Sequence, residues 1–301
     1  MGGKAARTAG ELQAAASSKL AQAGIADARR EARMILAHVL GIDMAGAFGR
    51  PERPIGQAES DAFDRLVARR ASREPWSRIV GVREFWSLPF KLSPDTLDPR
   101  PDSETLVQAV LDAMPNREAP LRLLDLGTGS GCLLLALLSE LKRAWGLGVD
   151  LSPGAAAAAA ANASALGLAG RACFIAGDWG RSLGGRFDAI IVNPPYIPQA
   201  DIARLEPEVA RWDPERALAG GADGLDAIRA VLPEAARLAA PDGLVALELG
   251  QGQAEAANRL ATAAGLAVFA RPTDLNGIER CLLMRPAGSG SAKKSWINEK
   301  Y

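Results

Sequence analysis

A glycine-rich segment at residues 125–131, Asp-Leu-Gly-Thr-Gly-Ser-Gly, is the first part of the chain whose residue types suggest ligand binding. Glycines at a turn from strand to helix let the backbone approach a ligand closely. The order is GxGxG rather than the GxGxxG of common dinucleotide-binding loops, and such a loop alone is a weak signal. It fits NAD(P), another nucleoside ligand, or tight packing without a ligand.

Two later positions extend the nucleoside interpretation. Asp150 ends the next predicted strand, where a carboxylate can accept hydrogen bonds from both ribose hydroxyls. It could also cap the helix that begins near Pro153, and it does not separate NAD from S-adenosylmethionine. After the third strand, Asp178 could bind an adenine amino group and Trp179 could lie against the ring, with an ordinary turn as the alternative.

The segment Asn193-Pro194-Pro195-Tyr196 decides the class of chemistry. Two prolines fix their φ angles and present carbonyls without competing N–H groups. The Asn193 side-chain oxygen and the Pro194 carbonyl can then accept both hydrogens of a substrate –NH₂, while the Tyr196 ring packs on a flat conjugated group. An amide nitrogen is a poor nucleophile, so fixing its orientation toward a methyl donor is positioning plus electrostatic stabilisation. This pattern favours methylation of a planar nitrogen.

Alternating strands and helices must position these residues, and they predict a mostly parallel sheet covered on both faces. The last two strands have no helix between them, which predicts an antiparallel hairpin at the sheet edge. The predicted strands are 121–126, 145–150, 171–176, 187–192, 244–249, 266–270 and 281–284, and the predicted helices are 130–141, 153–166, 225–239 and 253–264.

The N-terminal part has a different character. Residues 5–72 are rich in helix formers, with Gly41 as the predicted end of one helix. Residues 73–100 concentrate Trp, Phe and Pro, and 79–86 predict a short hairpin. A helix is expected to begin near Asp102, with Ser103 and Glu104 providing N-terminal capping.

Composition excludes several classes of protein. Lys plus Arg and Asp plus Glu are 35 each, so no global field draws the chain to nucleic acid or anionic membrane. Cys132, Cys173 and Cys281 form no CxxC pair, so we expect neither a disulfide framework nor a metal site. The single histidine, His38, lies within a helical pattern without partner motifs, and a structural or exposed role is expected. With no secretory signal or membrane span, a soluble cytoplasmic protein is expected.

The motifs together resemble the class I S-adenosylmethionine methyltransferases that act on planar nitrogens. Within that group the chain resembles the bacterial release-factor glutamine methyltransferases of the HemK/PrmC type nearly end to end. The segments that carry the resemblance are Glu74-Pro75, 81–88 (Gly-Val-Arg-Glu-Phe-Trp-Ser-Leu), 99–104 (Pro-Arg-Pro-Asp-Ser-Glu), Asp178-Trp179, 193–196 and 276–280. The family often has Thr where this chain has Ser103, an exchange that keeps the hydroxyl.

The resemblance implies methyl transfer from S-adenosylmethionine, with S-adenosylhomocysteine as product, to the side-chain amide nitrogen of the glutamine in the Gly-Gly-Gln loop of class-1 peptide chain release factors. It implies that Asn193, Pro194, Pro195 and Tyr196 hold that amide. The implied cofactor residues are Asp125, Leu126, Gly127, Thr128, Gly129, Asp150, Asp178, Trp179 and Asn193, bordered by Arg100 and Glu104.

The fold expected on this basis is an α/β class I methyltransferase, Rossmann-like, with a mostly parallel seven-stranded sheet. A helical domain at 1–72 would recruit the substrate, 73–100 would form a hairpin linker, 101–286 the catalytic domain, and 287–301 a disordered tail. We expect a monomer with no membrane association and no stable nucleic-acid partner.

Two alternatives remain from the residues themselves. The same chemistry could methylate an adenine or cytosine amino group in RNA or DNA, which predicts a target-recognition domain or a basic cleft. A nucleoside-binding or NAD-linked protein could use the same sheet, although it would leave residues 193–196 unexplained.

Overall fold

The computed structural model describes residues 7–288, which divide into two compact units at Val80 and Gly81. In the described part of the first unit the helices are α1 (Ala9–Gln22), α2 (Ala28–Leu40), α3 (Met44–Phe48), α4 (Gln57–Ala71) and α5 (Trp76–Val80). No helix among residues 7–288 is long and apolar enough to cross a membrane.

The helical unit has a core of its own. Leu12 and Leu20 of α1 are fully buried against Ile35 and Leu36 of α2 and Phe63 of α4. Their helical spacing puts them on one face of each helix, so burying those faces together stabilises the unit.

The ends of these helices follow local capping rules. Thr8 and Glu11 form a reciprocal capping box at the start of α1. Gly41 ends α2 in the left-handed conformation, as predicted. His38 is exposed, and its ring meets the Trp76 ring edge-on at 5.3 Å, which is a packing role.

The second unit begins with a hairpin, β1 (Val82–Phe85) and β2 (Leu88–Lys91). Trp86 and Ser87 form its two-residue turn, both at positive φ (52° and 58°), which matches the twist of a hairpin. The predicted hairpin at 79–86 was therefore too early in the chain, because Ile79 and Val80 belong to α5. Apolar spacing alone cannot tell a short helix from a short strand.

The remaining elements follow the predicted alternation. They are α6 (Glu104–Ala113), β3 (Arg122–Leu126), α7 (Cys132–Glu140), β4 (Trp145–Asp150), α8 (Pro153–Ala165), β5 (Ala172–Ala176), β6 (Phe187–Val192), α9 (Pro207–Ala210), α10 (Asp226–Leu238), β7 (Ala239–Glu248), α11 (Ala254–Ala263), β8 (Leu266–Ala270) and β9 (Cys281–Pro286), with 3₁₀ turns at Pro101–Ser103, Gln199–Arg204 and Glu215–Ala217.

Seven strands form one sheet in the order β5-β4-β3-β6-β7-β9-β8. Strands β3 to β7 pair in parallel, and β9 lies antiparallel between β7 and β8. The predicted fold class is confirmed, including the antiparallel edge. Apart from Arg122, Asp125 and Asp188, the central strands β3 and β6 are apolar, and they are almost entirely buried because helices cover both faces.

Apolar cores lie on each side of the sheet. One core includes α6, α7 and the hairpin residues Phe85 and Phe90, and the other includes α10 and α11. The predicted tail at 287–301 lies outside the described residues except for Ala287 and Gly288. The Ala287 N–H donates to the Gly265 carbonyl (2.7 Å).

Candidate active site

The predicted site residues meet where the order of the sheet reverses. Strand β3 has β4 on one side and β6 on the other, and the chain leaves β3 and β6 at the same edge of the sheet. In open parallel sheets this reversal opens a crevice at the carboxyl ends of the strands. The glycine-rich segment follows β3 and Asn193 follows β6, so both border that crevice.

The glycine-rich loop is a tight backbone turn. Gly127, Gly129 and Gly131 all have positive φ, between 54° and 81°, a conformation that costs other residues about 1 kcal/mol or more. The N–H groups of Gly127 and Thr128 both donate to the Val149 carbonyl of β4 (2.9 and 3.0 Å). A Cβ on Gly127 would lie 3.3 Å from the Trp179 ring, a tight contact that adds to the preference for glycine at this positive φ.

Asp125 and Leu126 lie beneath the loop. Neither borders the pocket, although the resemblance implied that both contact the cofactor. Leu126 is fully buried in the sheet core. Asp125 is fully buried, and its Oδ2 accepts a hydrogen bond from the Thr128 hydroxyl (2.7 Å). Burial raises the pKa of this carboxyl to about 7, partly opposed by Thr128. Asp125 therefore shapes the loop through Thr128.

Asp150 ends β4 with its carboxylate turned toward the loop. Its Oδ2 accepts from the Gly129 N–H (2.8 Å) and its Oδ1 from the Ser152 N–H (2.9 Å). The helix cap of α8 is Ser152, not Asp150, so the alternative role given to Asp150 was wrong. Each carboxylate oxygen can accept a further hydrogen bond, which leaves one acceptor site per oxygen for a ligand.

Asp178 and Trp179 form the next wall of the pocket. Trp179 has φ 50°, an unusual conformation for a bulky residue. This backbone turn sets its half-buried ring against the loop at Gly127. Asp178 forms an exposed ion pair with Arg181 (2.5 Å). Backbone strain at a pocket wall is typical of functional sites.

The segment after β6 turns into the same pocket. Asn193 and Pro195 line it, Pro194 is buried, and Tyr196 lies behind them. The Tyr196 carbonyl accepts a hydrogen bond from the side-chain amide of Gln253 (2.9 Å), which also holds the Gly250 N–H (3.0 Å). Gln253 thus ties the turn to the loop after β7.

A buried polar group lies behind Asn193. The Asn193 Nδ2 donates to the Ser103 hydroxyl (3.2 Å), and the Tyr196 hydroxyl lies 3.5 Å from Glu248 Oε1. Glu248 is buried, which raises its pKa to about 7, while Ser103 and Arg280 oppose the rise. Burial and the Glu248 charge also raise the pKa of Tyr196. Perturbed groups of this kind are typical of functional clefts.

The pocket has a cavity volume of about 170 Å³ and opens to solvent. Of the predicted residues, the structure brings Gly127, Thr128, Gly129, Asp150, Asp178, Trp179, Asn193, Pro195 and Arg100 to its wall. Carboxylates, an aromatic ring and glycine backbone suit a nucleoside ligand, and Asn193 and Pro195 of the turn at 193–196 line the same pocket.

Comparison with known proteins places this arrangement in a family. Residues 11–81 match the PrmC N-terminal domain and residues 85–206 match the methyltransferase small domain. A release factor glutamine methyltransferase from Rhodospirillum rubrum is 49% identical over 282 residues, which cover 94% of this chain and 86% of the relative. One from Bradyrhizobium diazoefficiens is 45% identical, over 89% of this chain and 92% of that one. The chain belongs to the release factor glutamine methyltransferase family.

The family methyltransferase fold is also seen at low identity. The hMettl16 catalytic domain, solved in complex with the MAT2A 3′UTR hairpin 1, superposes with a TM-score of 0.53 at 14% identity, covering 73% of this chain and 80% of that one. This likeness concerns the fold alone. The chain is an S-adenosylmethionine-dependent methyltransferase, as the sequence predicted.

The pocket of the methyltransferase fits its cofactor. A Cβ built on Gly129 meets no atom within 4 Å, so the loop faces open space at that point. The free acceptor sites of Asp150 suit the ribose hydroxyls, and Trp179 offers a flat apolar surface for a purine.

The resemblance placed Arg100 and Glu104 beside the cofactor, and only Arg100 borders the pocket. Arg100 lines the pocket and forms an ion pair with the buried Asp213. Glu104 does not border the pocket, and its Oε1 accepts from the Trp86 N–H (2.8 Å). Glu104 therefore holds the turn of the β1–β2 hairpin.

Several site residues of the methyltransferase were not found from the sequence. Arg216 bonds to both Asp95 and Ser152 at the rim of the pocket. Asn162 of α8 is fully buried and donates to the Ser130 carbonyl of the glycine loop (2.9 Å). No local pattern marks these residues, because their partners lie far away in the sequence.

Proposed function

We propose that this protein transfers a methyl group from S-adenosylmethionine to the side-chain amide nitrogen of the glutamine in the Gly-Gly-Gln loop of class-1 peptide chain release factors. The observation that carries the proposal is the position of Asn193 and Pro195 on the same pocket as the glycine loop and Asp150. The names of the relatives, which cover most of the chain, support the choice of substrate.

Binding of the substrate amide is assigned to the turn at 193–196. Because the Asn193 Nδ2 already donates to Ser103 (3.2 Å), its Oδ1 is the atom left to face the substrate. Oδ1 and the Pro194 carbonyl accept the two hydrogens of the glutamine –NH₂, and Tyr196, behind the pocket residues, supports the turn from the side of Glu248. Two fixed acceptors orient the nitrogen lone pair and stabilise the positive charge that develops on nitrogen.

Binding of the cofactor is assigned to the residues around the glycine loop. Asp150 accepts from the ribose hydroxyls, Trp179 and Asp178 hold the adenine, and the backbone of 127–129 contacts the methionine part. Asp125 and Leu126 support that backbone from below rather than through pocket contacts. The bound cofactor supplies an electrophilic methyl group on a sulfonium.

The proton of the amide needs no dedicated base. Methylation makes the nitrogen acidic, so the proton can leave to solvent after transfer. The acceptors Asn193 Oδ1 and Pro194 carbonyl hold that hydrogen until it leaves.

The N-terminal segment 1–72, whose described helices begin at Ala9, is proposed to recruit the release factor. These helices carry their own core and match the PrmC N-terminal domain, while the pocket residues all lie in the second unit. A chain that begins at Gly81 should still bind S-adenosylmethionine in calorimetry but fail to methylate intact release factor. Normal methylation by that chain would remove the recruitment role.

Incubation with labelled S-adenosylmethionine and purified release factor tests the substrate. A release factor with Gln→Ala in its Gly-Gly-Gln loop is the matched control. Label in the unaltered factor only supports the proposal, and label in tRNA or DNA instead would replace it with amino-group methylation of nucleic acid. A cytoplasmic location and a monomeric state remain predictions.

A further inference from the structure

Two buried polar residues, Ser103 and Glu248, lie behind the substrate-binding turn, and the function proposed above uses only the contact of Ser103 with Asn193. Strands β6 and β7 pair in parallel with Val192 opposite Leu247, so the next residues, Asn193 and Glu248, leave the sheet side by side. Ser103, from the start of α6, lies with them. The three side chains form a series: amide, hydroxyl and carboxyl.

Burying the Glu248 side chain in the core is unfavourable in free energy. It is 3% exposed, and its Oε2 has no hydrogen-bond partner among residues 7–288. A buried polar group without a partner costs about 1–3 kcal/mol, more if charged. A role that an apolar side chain could not fill would explain why a carboxyl is buried at this position.

Ser103 is placed to connect the other two side chains. It is 3% exposed, and although it precedes α6 its hydroxyl makes no capping hydrogen bond, contrary to the capping role predicted from the sequence. A serine hydroxyl has one hydrogen and two acceptor sites. Its oxygen accepts from Asn193 Nδ2. Because Asn193 and Glu248 leave paired strands side by side and both Ser103 and Glu248 are buried, the one hydrogen of Ser103 can turn toward the Glu248 carboxyl.

We propose that Ser103 and Glu248 are positioning residues that fix which way the Asn193 amide faces, so that its oxygen and not its nitrogen meets the substrate –NH₂. An ionised carboxylate only accepts hydrogen bonds, so it takes the Ser103 hydrogen. The Ser103 oxygen must then accept, and the Asn193 group that donates to it is Nδ2. The inference rests on the proposed function for the identity of the substrate amide, but not for the orientation itself.

If Glu248 is protonated, the direction of the hydrogen bonds among Glu248, Ser103 and Asn193 reverses. Its O–H can then donate to Ser103, whose hydrogen is free to turn to Asn193 Oδ1 and present Nδ2 to the substrate. The titratable and charged groups that face Glu248 are Arg280, Asp102, Tyr196, Cys281 and Cys132. Burial raises the pKa of both thiols and of Tyr196, so they keep their protons near neutral pH. Glu248 is therefore the group whose ionisation sets the orientation in that range.

The side-chain amide signals of Asn193 test the orientation without any substrate. The chain has six asparagines, so ¹⁵N-asparagine labelling is selective, and the Asn193→Asp variant identifies the signal. We expect its two protons to shift with pH in the wild type, to change in Ser103→Ala, and to be restored in Ser103→Thr. In Glu248→Gln the pH-dependent shift should disappear. The proposal would be overturned if the Asn193 chemical shifts were the same in Ser103→Ala as in wild type. It would also be overturned if they changed with pH in Glu248→Gln as they do in wild type.

Methylation of release factor gives the second readout. Ser103→Ala and Glu248→Gln should each lower kcat about tenfold, as expected for one lost hydrogen bond, with KM for S-adenosylmethionine within about twofold. The double variant should be no slower than either single variant, because both changes break one series. Thr262→Ala and Glu255→Gln, on the exposed face of α11, are the matched controls.

The two hypotheses fail in different ways. Effects that multiply in the double variant, or that raise KM at unchanged kcat, would remove the positioning role. A wild type that leaves release factor unlabelled would refute the proposed function, while the Asn193 signals would still decide the orientation.

Discussion

Replacing Glu248 by Gln should shift the free energy of unfolding, relative to wild type, progressively in favour of the variant as the pH rises. Burial raises the pKa of Glu248 from 4.5 to about 7. A carboxyl whose pKa is raised by folding contributes stability that is complete below pH 4.5 and is lost as the pH rises through 7. Each pKa unit is worth about 1.4 kcal/mol, so wild type loses about 3 kcal/mol over this interval. The glutamine variant has no such loss.

Urea unfolding of both proteins at about pH 5 and about pH 8.5 measures the effect. The fixed cost of burying an amide is the same at both pH values, so the change in the difference between variant and wild type isolates the titration. Asp125, whose pKa is also about 7, is present in both proteins and cancels.

Glu255→Gln is the control for this experiment. Glu255 is exposed on α11, and its hydrogen bond with Arg271 lowers its pKa. Wild type therefore keeps the benefit of that carboxylate at high pH, and this variant should gain nothing as the pH rises. If the Glu248→Gln and wild-type free energies of unfolding changed in parallel with pH, the buried carboxyl would not have a raised pKa and the reasoning would be refuted.

Three further predictions concern the pocket. Asn193→Ala should lower turnover about 10²-fold, comparable to losing one oxyanion-hole donor, with S-adenosylmethionine affinity near wild type; unchanged turnover would remove Asn193 from the mechanism. Asp150→Ala should weaken S-adenosylmethionine binding, measured by calorimetry, by at least about tenfold, because the ribose acceptors and the contact with Gly129 are lost together. An affinity equal to that of wild type would contradict the role of Asp150 in ribose binding. Gln253→Ala should lower kcat several-fold and spare cofactor affinity, since it releases the Tyr196 carbonyl; a lower affinity with unchanged kcat would contradict this.

Local residue patterns were sufficient where a segment's own chemistry decides its conformation. Gly41 ends α2 as predicted because glycine adopts positive φ at little cost. The hairpin was misplaced because Ile79 and Val80 suit a strand by propensity but complete α5 in the structure. Short apolar segments of this kind follow their tertiary surroundings more than their propensity.

Ser103 and Glu104 show the same limit within the site. Both were predicted to cap a helix. The Ser103 hydroxyl instead accepts from Asn193, and the Glu104 carboxylate holds the hairpin turn at Trp86. Either role satisfies the side chain, and only the packed neighbours determine which one is available.

The sequence alone determined the sheet, the glycine loop and the turn at 193–196, because strand periodicity, glycine spacing and consecutive prolines act over a few residues. The tertiary structure alone decided that Asp125 lies under the loop, that Asp150 is bound to Gly129, and that Ser103 contacts Asn193. Those contacts join residues as many as 90 positions apart, and a hydrogen bond acts only across the few ångströms that folding closes.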